Sequence, residues 1–160
     1  MTPLLRPLLL AVALITLGAC SKPASTPAPA AAAKHEHRPP HGGTAIVLGD
    51  EIYHLELVLD STAGKLSAYV FDGEMENFIR VAAPSFELVA TVGGEKKSLV
   101  FTAIANPATG EKIGDTALFE AQAAWLKSTP TFDAMLTSLP IRGTTFTAVA
   151  FNFPHGNDHD

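Results

Sequence analysis

The chain has 160 residues, which suits one domain at the usual size of about 100–200 residues. Sixteen acidic against eleven basic side chains give a formal charge of −5, which argues against nucleic acid as a partner, because phosphate binding needs clustered Lys and Arg. A single cysteine excludes an intramolecular disulfide, a four-cysteine zinc site and a CxxC redox centre.

The N-terminus reads as a targeting segment. Met1–Arg6 carries one positive charge, Leu8–Leu17 is a ten-residue apolar stretch, and Gly18 and Ala19 are small. The stretch falls short of the roughly 20 apolar residues that span a bilayer. Leu17-Gly18-Ala19-Cys20 resembles the lipobox of bacterial lipoproteins. That resemblance implies cleavage after residue 19 and a lipid-modified Cys20 at the new N-terminus. The competing reading is an ordinary signal peptide followed by an idle thiol. Removing 19 of 160 residues leaves 141. Ser21, rather than Asp, follows the cysteine, and by the enteric sorting rule this favours the outer membrane, with the domain facing the periplasm.

Residues 20–40 form the lipidated cysteine and an Ala/Pro-rich linker with no large apolar side chain in Ser21–Ala33. Polyproline-like extension at ~3.1 Å per residue gives Ser21–Pro40 a reach of roughly 60 Å, which suits a tether.

From Gly42 onward, short runs rich in Val, Ile, Phe, Tyr and Thr alternate with Gly, Asp, Asn and Pro. Strands are expected at Thr44–Leu48, Ile52–Asp60, Lys65–Phe71, Ser85–Val92, Ser98–Ile104, Ala117–Trp125, Leu139–Arg142 and Thr145–Phe153. In the second strand Tyr53, Leu55, Leu57 and Leu59 share one face, with His54 and Glu56 on the outward one. Thr129 as N-cap and Pro130 at the first helical position predict one helical turn over Pro130–Leu136. The fold class is therefore all-β: an immunoglobulin-like two-sheet sandwich over residues 41–154, with a small closed barrel as the alternative and a His/Asp tail at 155–160.

No GxSxG, HExxH or P-loop occurs, so the chain does not read as an enzyme. Histidine placement is more informative. Five of six histidines lie outside the expected core strands. His35, His37 and His41 precede the first strand; His155 and His159 follow the last, with Asp158 beside them. Imidazole with carboxylate and no thiolate suits Zn²⁺, Cu²⁺, Ni²⁺ or Co²⁺. Polar tails with incidental histidines, or loose chelation by such tails, are the competing readings. In a sandwich the two clusters lie at opposite poles and form separate sites. His41 abuts the first strand and is the better ordered candidate; His35 and His37 are expected to be more mobile. His54 on its outward strand face reads as structural.

His41–Glu74 resembles a segment of bacterial periplasmic proteins linked to heavy-metal efflux, including the N-terminal region of some RND-type efflux adaptor subunits. The shared features are His41-Gly42-Gly43, Gly49-Asp50, Tyr53–Leu57 and Tyr69–Asp72. The resemblance implies a stand-alone, lipid-anchored copy of a metal-handling module, with a divalent transition metal as ligand and an efflux or envelope protein as partner. It carries over only His41 as a ligand. The alternative function is a non-catalytic envelope protein–protein interaction module. Large apolar residues on both faces of Lys65–Phe71, Leu66 and Val70 against Tyr69 and Phe71, point to it.

Overall fold

A computed structural model describes residues 37–158. The signal peptide, Cys20, His35, His159 and all but the end of the linker lie outside the described residues. The strands are β1 (Thr44–Leu48), β2 (Tyr53–Asp60), β3 (Lys65–Asp72), β4 (Ser85–Val92), β5 (Glu95–Ala103), β6 (Leu118–Gln122), β7 (Phe132–Ile141) and β8 (Thr144–Phe153). Two 3-10 turns, Pro107–Thr109 and Ala124–Lys127, interrupt them. No helix among the described residues is long and apolar enough to cross a membrane.

The all-β class holds. The strands expected in two facing sheets join a single antiparallel one, in the order β1-β2-β3-β6-β5-β4-β7-β8. That sheet curls until it is nearly closed and barrel-like. The joint that unites it is β6, which pairs with β3 on one side and β5 on the other. Period-two alternation puts Leu55, Leu57, Leu66, Val70, Leu88, Phe101, Phe119 and Leu136 inside, all buried in one core.

The helical turn expected at Pro130–Leu136 is not formed; Phe132–Leu136 belong to β7 instead. Phe132, Ala134 and Leu136 point inward, then the phase changes and Leu139 and Ile141 are the buried ones. A register shift between β4 and β7 marks the change: Glu87 faces Ser138 while Leu88 faces Leu136, leaving Thr137 as the extra residue of a bulge. The sixth strand is shorter than expected. It stops at Gln122, and Trp125 sits in a 3-10 turn, edge-on to Phe132 at 5.2 Å, while Leu126 takes the buried position.

β1 and β8 are the ends of the sheet order, yet they adjoin across a seam. Past β8 the chain turns back along β1. Thr44 Oγ1 donates to the carbonyl of Pro154 at 3.1 Å. The Asn157 side chain accepts from Val47 N–H at 2.8 Å and donates to the Val47 carbonyl at 3.1 Å. Gly156 makes this approach possible: a β-carbon there would collide with the Ala45 carbonyl oxygen.

Candidate functional site

The outer face of the β2–β3 pair is the feature that sets this domain apart. Three cross-strand pairs point out of the barrel there: Val58 with Ser67, Glu56 with Tyr69, and His54 with Phe71. Such a face normally meets water. Here Glu56 is 0%, His54 1% and Phe71 1% exposed. The cover comes from residues 37–43 ahead of β1 and from the loop after β3. Phe78 stacks on Phe71 with ring centroids 4.7 Å apart, and Met75 is buried in the same loop. The outward direction read for His54 and Glu56 is right; the solvent expected around them is absent.

Glu56 organises the N-terminal cover. Its Oε1 accepts from the backbone N–H of His41 at 2.8 Å and of Gly43 at 2.9 Å. Its Oε2 accepts from His41 Nδ1 at 2.7 Å. A carboxylate with no exposure needs this full set of donors to offset its lost hydration. The His-Gly-Gly spacing follows from the geometry. Gly42 adopts φ +68°, in the left-handed region. Gly43 lies so close to β2 that a β-carbon would collide with the Leu57 carbonyl oxygen. The His41 ring then lies parallel to Tyr69 at 3.9 Å. Burial, with the carboxylates of Glu120 and Glu56 nearby, pushes the Tyr69 phenol above its ordinary pKa. His41, expected as a free ligand, is thus held by a carboxylate on one nitrogen and keeps a part-exposed ring.

His54 is the second centre. Its Nδ1 faces the Asp72 carbonyl at 3.4 Å. A carbonyl only accepts, so this contact places the proton on Nδ1 and leaves the lone pair on Nε2. His37 packs against it, ring centroids 4.7 Å apart and tilted by 50°. The His37 Nε2 is buried and has no hydrogen-bond partner among the described residues. His37, expected in a more mobile segment, is half-buried against His54. Burial is the main influence that draws the His54 pKa below 6.5; His37 adds to it, while the Asp72 carbonyl and the charges of Glu51 and Asp158 oppose it.

Asp158 reaches this neighbourhood because Asn157 is fixed on Val47, and Val47 is the cross-strand neighbour of His54. The two histidine-bearing ends of the chain, expected at opposite poles, approach one surface. His155 is exposed in the turn after β8. Among the described residues no three His, Cys, Asp or Glu side chains cluster closely enough to define a metal centre. His54 was the residue that alternation alone could not single out, since its importance comes from what covers it.

Next to the same face lies a cleft of about 200 Å³. Tyr69, Phe78, Ala117 and Leu118 give its apolar walls, and Arg80 and Glu111 its polar edge. Arg80 binds Asp115 at 3.2 Å and the Thr109 carbonyl at 2.5 Å. Phe78 is 54% exposed at the margin.

Comparison with protein-family models, curated proteins and solved structures finds no match to this chain.

Proposed function

We propose that this is a lipid-anchored protein of the bacterial envelope, held through Cys20 and facing the periplasm, whose barrel-like domain captures a divalent transition metal with histidines. The role is binding or buffering, without catalysis. One observation carries the reading: the histidine-bearing N-terminal segment and the Asp-bearing C-terminal turn approach the same surface, at His54. Imidazole nitrogens near carboxylate charge, with no thiolate, favour Zn²⁺, Cu²⁺, Ni²⁺ or Co²⁺ over Mg²⁺ or Ca²⁺. The His41–Glu74 resemblance to the efflux-linked module agrees, and makes an efflux or envelope protein the natural partner. The outer membrane is the favoured location, from Ser21.

The test is calorimetric titration of the purified protein with ZnCl₂ and CuCl₂, beside MgCl₂ and CaCl₂. Saturable binding of the first two at micromolar or lower Kd supports the reading. Identical weak heats for all four ions sink it.

A second reading has its own observation. The apolar cleft beside Tyr69, with Phe78 exposed at its margin, supports a non-catalytic module that docks another envelope protein. Crosslinking in intact cells that is lost on Phe78→Asp, with metal affinity unchanged, would favour that reading over metal capture.

A further inference from the structure

We infer that His37 and His54 are the two nitrogen ligands of a transition-metal site on the outer face of β2, resting on the metal-capture reading above and naming its ligands. His54 was not among the residues that the sequence marks as ligands. The geometry selects it.

Four observations converge. First, the rings of His37 and His54 adjoin, with centroids 4.7 Å apart. Second, His37 Nε2 is buried with no hydrogen-bond partner among the described residues, which is unfavourable for a polar atom. A metal ion would relieve it. Third, His54 Nδ1 points at the Asp72 carbonyl, which leaves Nε2 as its donor nitrogen. A backbone carbonyl on the far nitrogen is the usual outer-sphere support of a metal-bound imidazole. Fourth, Glu51 and Asp158 both set negative charge near His54, which favours a bound cation there.

The chemical class follows from the ligands. Two neutral imidazoles suit Zn²⁺, Cu²⁺, Ni²⁺ or Co²⁺, bound at about 2.0–2.1 Å from nitrogen in the zinc case. Asp72 contributes through its backbone; its side chain is engaged by Glu76 N–H, Asn77 N–H and the Asn77 amide. His41 is a separate matter, because its Nδ1 is taken by Glu56.

The experiment uses the full purified chain with Zn²⁺ by calorimetry and Co²⁺ by visible absorption. The variants are His37→Ala, His54→Gln and His155→Ala. His37 lies outside the strands, so His37→Ala keeps the barrel even where His54→Gln disturbs it; far-UV circular dichroism checks both. The expected result is one tight equivalent in the wild type and in His155→Ala. In His37→Ala and His54→Gln the affinity falls by more than the ~10–100-fold that losing an outer-sphere partner costs. Unchanged affinity in a folded His37→Ala protein overturns the site. Tight binding that disappears only in His155→Ala overturns it too, while leaving metal capture standing. Absence of binding in the wild type overturns the capture reading itself.

Discussion

Asn157 meets Val47 with both polar atoms of its side chain, and so supplies from a side chain the rung that a neighbouring strand would supply from its backbone. The free edge of β1 is closed this way, and the closure fixes the C-terminal turn beside His54.

Asn157→Ala leaves the Val47 N–H and carbonyl without these partners. The expected loss is about 1–3 kcal/mol. Asn157→Asp keeps an acceptor for the N–H and sets a carboxylate against the carbonyl, so it should not restore stability. Urea unfolding checks both, with the midpoint falling and the slope unchanged.

Glu56 and His41 should differ sharply when removed. Glu56→Ala strips three donors of their buried acceptor, and about 3 kcal/mol or more should be lost. His41→Ala leaves the two backbone donors on Glu56 and should cost about 1–2 kcal/mol. Both single variants and the double variant, unfolded in urea, measure the coupling. A double variant whose loss equals the sum of the singles would show that the pair does not act as a unit.

Acid stability should report on Glu111. Burial alone would raise its pKa, but Thr109 Oγ1, the Ala117 N–H, Arg80 and Thr116 together hold it below its ordinary 4.5. The unfolded chain therefore takes up this proton first as the pH falls. The stabilisation is present above pH 4.5 and is lost as the pH drops through the lower folded value. Glu111→Gln should show a shallower loss of stability between about pH 5 and pH 3 than the wild type. Urea midpoints across that range decide it; parallel profiles contradict the assignment.

The anchor prediction is chemical. Cys20→Ser should abolish acylation and release the protein from membranes. Mass spectrometry of the mature N-terminus checks it. A wild-type protein that begins at residue 20 without an added lipid mass would remove the anchor from the reading.

Most of the barrel was legible as period two. β1 and β4 match the expected limits, and β2, β3 and β8 differ from them by one residue. Of β7 only the end was legible, in the strand expected at Leu139–Arg142; its first part was not, and the reason is the bulge. The phase change at Thr137 spaces Phe132, Leu136 and Leu139 at i, i+4 and i+7, which mimics a helix face behind Thr129-Pro130. The single sheet was hidden because strand spacing does not report which strands adjoin. His41 was legible as a special residue, but its carboxylate partner lies 15 positions away and appears only once β2 forms. His54 and Glu56 were placed on the correct face. Their burial depends on the segments folded over them, and alternation within one strand says nothing of those.

The Val47–Asn157 contact also has a meaning in time. The two residues are 110 positions apart, so β1 and β2 emerge during synthesis long before the residue that closes them. For that interval the outer edge of β1 presents unpaired N–H and carbonyl groups, which other extended chains can join. A contact of such long range forms late, after the closure of a large loop. A nascent chain cut short anywhere before Asn157 is therefore the form of this protein most exposed to aggregation, and the turn from Pro154 to Asn157 acts as its latch.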